Sequence, residues 1–158
     1  MDRKALLVHS SALSYKGKGF VFAGRAHQGK TTIANFFPRY ALHDDINVIM
    51  DKKDKPVVYG FTFQKGVGRV KSRNCRTVVR NVFFIRKAKK NDFIKLKKEE
   101  ALVRLLYNLR LPSLLWVETG NVRKKIFNTA AEIVKKIDCY EMRFSRSKAF
   151  WSKIKKGL

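Results

Sequence analysis

The chain is poor in cysteine, in proline and, above all, in negative charge. Its 158 residues include two cysteines, Cys75 and Cys139, far apart and without metal-type spacing. That argues against a disulfide scaffold and fits a reduced, cytoplasmic protein. No apolar run approaches the roughly 20 residues of a membrane-spanning helix, and the N-terminus lacks a signal-peptide pattern, so no membrane partner is expected. Acidic residues number only 12 against 36 Lys and Arg, a formal net charge of +24. Thermophile-type ion-pair networks need both signs in quantity and do not explain such a balance.

What is present is a chain of one-domain length, 45% apolar and 12% aromatic, able to build a real core. A single domain over residues 1–158 is expected. The charge is uneven: 7 basic against 4 acidic residues in 1–51, 16 against 4 in 52–100, and 13 against 4 in 101–158. The surplus therefore lies downstream of the first third. A polyanionic partner, an acidic substrate or an anionic surface would account for it, and so would solubility alone.

The first third carries the strongest motif. Val21-Phe-Ala-Gly24-Arg25-Ala26-His27-Gln28-Gly29-Lys30-Thr31-Thr32 reads as a strand, a turn bounded by two glycines, and the start of a helix. Gly24, four residues, then Gly29-Lys30-Thr31 is the phosphate-loop pattern. Gly29 lets backbone N–H groups approach a polyphosphate with no Cβ between them. A helix opening at Thr31 adds unpaired donors and a positive dipole end. Lys30 is placed for the β- and γ-phosphates and the Thr31 hydroxyl for Mg²⁺. Residues Gly24 to Thr32 are thus a candidate site for a nucleoside triphosphate.

Around the loop, Leu6–Ser10 and Ala12–Tyr15 read as short strand pieces. Lys16–Gly19 reads as a turn and Phe20–Ala23 as the next strand, giving a hairpin that feeds the loop. Pro38 limits the helix to about two turns. Leu42–Met50 returns as a strand with Asp44 and Asp45 near its beginning, and Val57–Phe63 reads as another. Gln64–Arg80, with six basic residues, reads as a long loop. Asn81–Arg86 is a strand with Asp92–Leu96 as its antiparallel partner. Helical spacing follows at Leu102, Leu105, Leu106 and Leu109, closed by Pro112. A second helix is expected after Gly120, then a strand at Cys139–Phe144 and a basic helix at Ser147–Lys156.

The acid pair stands fourteen residues after Lys30, separated by one short helix and one turn, so both acids can return beside the loop they left. That spacing suits metal coordination by one carboxylate and proton abstraction by the other. His9, His27 and His43 fall in the same third. Two aspartates and a threonine nevertheless suit a hard cation better than a transition metal.

The run His9-Ser-Ser-Ala-Leu, Gly17-Lys-Gly-Phe-Val-Phe-Ala-Gly24, Gly29-Lys-Thr-Thr and Leu42-His-Asp-Asp resembles the catalytic domain of HPr serine kinase/phosphorylase and its smaller relatives. Thinner similarity continues through Tyr59-Gly60, Phe83–Arg86, Leu111-Pro112 and Cys139–Phe144. The resemblance implies an α/β P-loop domain of the phosphoenolpyruvate-carboxykinase type, with a mixed, largely antiparallel sheet and C-terminal helices. It implies ATP and Mg²⁺ as cofactors, Lys30 and Thr31 on phosphates and metal, Asp44 as base and Asp45 as metal ligand. His9 matches the family's histidine on the strand before the loop, where it would approach the terminal phosphate.

Two departures narrow the substrate. Arg25-Ala-His-Gln replaces the Gly/Ser/Pro-rich filling common among relatives, so Arg25 is expected to add a phosphate contact. The Glu-Arg-Gly-Leu-Gly type of segment that supports HPr recognition is not found in the sequence, nor is the upstream domain of full-length HPr kinases. The expected activity is therefore transfer of a γ-phosphoryl group to a hydroxyl of a small molecule, or to a Ser/Thr of a peptide or protein other than HPr. Arg73 and Arg76 of the basic loop would grip that anionic or hydroxyl-bearing substrate.

Two alternatives stand beside this. One is a nucleic-acid-associated NTPase or binder, with basic residues between Phe61, Phe63, Phe83, Phe84 and Tyr107 as stacking platforms. The other is a nucleotide-binding regulator that has lost its chemistry. Self-association is compatible with the resemblance but opposed by the charge.

Overall fold

The computed structural model describes residues 4–60, 74–110 and 120–157. Among them lie eight strands, β1 Ala5–Tyr15, β2 Lys18–Ala23, β3 Ala41–His43, β4 Ile46–Met50, β5 Val57–Tyr59, β6 Arg76–Lys87, β7 Asp92–Lys95 and β8 Asp138–Phe144. Four helices accompany them, α1 Lys30–Phe36, α2 Lys98–Tyr107, α3 Gly120–Lys136 and α4 Phe150–Lys156. The fold class is mixed α/β, built on one mixed sheet.

β1 and β2 form the expected hairpin, paired antiparallel from Ser10↔Ala23 to Tyr15↔Lys18. Lys16 (φ 49°) and Gly17 (φ 72°) turn it. Two successive positive φ values match the right-handed twist of the flanking strands. On its other edge β2 runs parallel to β6. β4 and β5 link the start of β1 to the start of β6, closing a ring through β2, β1, β4, β5 and β6. β8 lies parallel to β6, and β7 antiparallel to β8, beyond the ring.

The centre of the sheet is buried on both faces, which requires strands without polar alternation. In β2, Val21 and Ala23 join one apolar cluster and Phe20 and Phe22 the other. β6 repeats this with Val82 and Phe84 on one face and Phe83 and Ile85 on the second. Leu105 of α2 and Ile133 of α3 cover the first face; Ile33 of α1 with Phe150 and Trp151 of α4 cover the second. The second face is rich in aromatic residues, with Phe22 stacked on Phe83 at 5.1 Å and Phe144 edge-on to Phe150 at 5.5 Å.

Several expected boundaries move. The two strand pieces before the hairpin are one eleven-residue strand, β1. Leu42–Met50 is broken into β3 and β4 by a bend at Asp44 and Asp45. Residues 76–80, expected in the basic loop, are the first half of β6: Thr77 and Val79 are buried while Arg76, Val78 and Arg80 face out. Asp92–Lys95 does not pair with β6, because β8 occupies that edge. The last helix starts at Phe150 rather than Ser147. Most of the remainder of the expected basic loop, with Arg73, and Pro112 lie outside the described residues, as do residues 61–63 of the expected strand Val57–Phe63, of which β5 ends at Tyr59.

Candidate phosphate-loop site

β2 ends at Ala23 and α1 begins at Lys30, so Gly24 to Gly29 bridge strand and helix. Gly29 precedes α1 at φ 114° and ψ 12°. A Cβ there would stand 2.8 Å from Phe144 Cε1, so both backbone conformation and packing require glycine. At Gly24 a Cβ would meet Gln28 Oε1 at 2.6 Å. That oxygen accepts a hydrogen bond from the Arg25 N–H at 2.8 Å, a brace within the loop. His27 adopts φ 63° and is exposed, like Arg25 and Ala26. Thr31 and Thr32 are half-buried in the first turn of α1.

Lys30 is the loop's charged centre. It is only 5% exposed, and its ammonium donates to the carbonyl oxygens of Gly24 and Arg25, both at 2.8 Å. Burial pushes its pKa from 10.5 down to about 8; Asp45 opposes the shift and Arg110 adds to it. A cation desolvated by its own loop and hydrogen-bonded there only to neutral oxygens is suited to an incoming polyanion.

Of the acid pair, Asp45 lies beside the loop lysine and His9. Asp45 Oδ1 lies 3.0 Å from His9 Nε2, and Oδ2 lies 4.0 Å from Arg110 Nη2. Its side chain is 24% exposed, whereas Asp44 is wholly buried. The bend is fixed from within: His43 Nδ1 accepts hydrogen bonds from the N–H groups of Asp45 and Ile46, both at 3.1 Å. His43 therefore serves the backbone. His9 is held by backbone bonds, its N–H donating to Asn108 O at 2.8 Å and its carbonyl accepting from Gly24 N–H at 3.4 Å. Burial, then the Lys30 charge, lowers the His9 pKa below 6.5, against the raising pull of Asp45. At neutral pH a neutral imidazole thus donates to the Asp45 carboxylate.

Lys30, His9 and Asp45 are gathered into one electrostatic unit. Arg76 is not: it opens β6, while Phe84, eight residues on, pairs with Ala23 at the loop. At about 3.3 Å per residue that separates Arg76 from the loop by on the order of 26 Å. Phe83 and Phe84 are buried in the sheet, which removes them as stacking platforms. Tyr107 is 68% exposed, with the Arg25 guanidinium 4.6 Å from its ring centre. Both residues border a cleft of about 280 Å³ between the loop and α2.

Arg110 was not foreseen. Its N–H donates to Leu7 O at 2.8 Å, tying the segment after α2 to β1 and setting the guanidinium near Asp45. Nothing local in the sequence pairs residue 110 with residue 45. Among the described residues no helix is long and apolar enough to cross a membrane, and no group of three or more His, Cys, Asp or Glu side chains is arranged to hold a metal ion.

Over residues 1–158 the chain matches the family model described as SynChlorMet cassette protein ScmC, and it belongs to that family. A search of curated proteins finds no match.

Proposed function

We propose that this ScmC-family chain is an ATP- and Mg²⁺-dependent phosphotransferase of the HPr-kinase-like P-loop type. Its acceptor is a hydroxyl of a small molecule, or a Ser/Thr of a peptide or protein other than HPr. One observation carries the reading: the buried Lys30 ammonium, bonded to its own loop carbonyls, shares an electrostatic unit with Asp45 and His9.

In this reading Lys30 turns from the Gly24 and Arg25 carbonyls to the β- and γ-phosphates, and its desolvation becomes a gain because the new partner is anionic. The loop N–H groups and the Arg25 guanidinium orient the polyphosphate, and the cleft beside Tyr107 takes the nucleoside. Thr31 and Asp45 are the residues that would hold Mg²⁺. Bound there, the ion neutralises developing charge on the phosphates. His9 orients Asp45 through its 3.0 Å contact. Asp44 accepts the hydroxyl proton, which requires the Asp44–Asp45 bend to open, since the Asp44 side chain is enclosed.

The test measures ADP release with Mg-ATP across a panel of hydroxyl acceptors. One acceptor class stimulates release, and Lys30→Ala lowers it by on the order of a hundred-fold or more. Asp44→Asn removes transfer while nucleotide binding, read by thermal stabilisation, persists. Undiminished turnover in both variants overturns the assignment.

A further inference from the structure

A further cavity lies away from the phosphate loop. About 440 Å³ opens between the β1–β2 turn, the middle of β6 and the end of α4. Five cationic side chains border it: Lys16, Lys18, Arg80, Lys155 and Lys156. All five are exposed. Among the described residues none of them has a carboxylate within ion-pairing distance. Tyr15, Asn81 and Ser152 add polar groups to the wall, and Phe20 an apolar one.

Lys18 begins β2 and Ala23 ends it. About 17 Å of strand therefore separates this cavity from the loop. Five like charges around one concavity repel one another, and low-dielectric walls concentrate their field. An anion seated there relieves that repulsion.

The neighbouring cleft indicates how large the anion is. Arg80 also borders a second cleft, with Lys55, Lys98, Lys135, Lys136 and Asp138. There three of the four lysines have a carboxylate partner, and Lys55 has none among the described residues. Lys136 reaches Asp51 at 2.6 Å, Lys135 reaches Glu132 at 2.8 Å, and Lys98 lies 3.9 Å from Asp138. Beyond Arg80 the uncompensated charge thus thins to Lys55 alone and does not continue as a track. We infer that the cavity between the β1–β2 turn and α4 is a second anion site. It takes a compact phosphoanion of at least two charges, not an extended nucleic-acid backbone. This inference is independent of the proposed phosphotransfer, because it uses no residue of the phosphate loop.

Calorimetric titration of the Lys30→Ala protein with pyrophosphate at low salt tests it, since that variant silences the loop. One equivalent binds. Lys16→Glu combined with Lys155→Glu in the same background weakens it by on the order of ten-fold or more. Lys89→Glu with Lys90→Glu, an equal charge change in the exposed β6–β7 turn, shifts it less than about two-fold. Cooperative melting, at temperatures no lower than that of Lys30→Ala alone, establishes that the charge-reversal variants fold. Absence of binding to Lys30→Ala overturns the proposal, as does equal weakening by both charge-reversal pairs. A single-stranded oligonucleotide that binds through Lys16 and Lys155 where pyrophosphate does not also overturns it.

Discussion

The two ends of β2 handle positive charge in opposite ways. At the Ala23 end one lysine is buried, bonded to two carbonyls and coupled to Asp45 and His9, with glycine geometry fixing the backbone around it. At the Lys18 end five cations stand in solvent around an open cavity, with no carboxylate of the described residues in ion-pairing distance. The first arrangement is preorganised, so disturbing it should cost folding free energy. The second is held by the fold but does little to hold it, so its cations should be replaceable with little effect on stability.

The sharpest contrast is between glycines. Gly29→Ala forces a side chain into φ 114° and against Phe144 at 2.8 Å. The strained backbone and the overpacking together should cost roughly 3 kcal/mol or more. Gly17→Ala, at φ 72° in the hairpin turn with nothing within 4 Å of its Cβ, should cost only about 1 kcal/mol. Denaturant unfolding of both variants measures the difference. Equal losses would show that the loop is no more rigid than the hairpin turn.

Lys30 gives the next effect, with a defined sign. Its pKa is about 8 in the fold against 10.5 ordinarily. Between those values the unfolded chain binds the extra proton, so this lysine's contribution to stability rises with pH across the window. Referenced to Lys30→Met, which has nothing to titrate, the wild type should gain on the order of 3 kcal/mol from pH 8 to 10.5. A flat difference would mean that the ammonium is solvated and that the loop end is no more preorganised than the other.

This asymmetry also explains what was legible in the sequence. The strand, loop and helix around Lys30 follow from contiguous residues whose spacing is dictated by local geometry, and the Lys16–Gly17 hairpin likewise. The return of Asp45 was legible because so little chain separates it from Lys30. The opening of β6 was hidden: Thr77 and Val79 alternate with Arg76, Val78 and Arg80 as a strand should, but the density of arginines resembles a loop. The insertion of β8 between β6 and β7 depends on pairing between residues 45 to 57 apart in sequence, and no local pattern encodes it. The same holds for Arg110 beside Asp45. The basic cavity joins residues 16–18, 80 and 155–156, each an ordinary surface cation in its own segment, so only the folded chain assembles it.

The smallest expected effect concerns those cations. Lys16→Gln and Lys155→Gln should each move the melting temperature by no more than about 2 °C at low ionic strength, because each removes repulsion and breaks no ion pair, Lys16 giving up only an exposed contact with the Tyr15 ring at 5.5 Å. Lys136→Gln is the paired counterpart. Its ammonium lies 2.6 Å from Asp51, whose side chain is 8% exposed, and 2.8 Å from the Lys52 carbonyl. Its loss leaves a largely buried carboxylate without that partner, so its melting temperature should fall several degrees further than in either cavity variant. Raising the salt should bring the cavity variants back to wild type and leave most of the Lys136→Gln deficit, since exposed repulsion is screened and a buried contact is not. If Lys16→Gln or Lys155→Gln proved as damaging as Lys136→Gln, those lysines would hold the fold, and the contrast between the ends of β2 would fail.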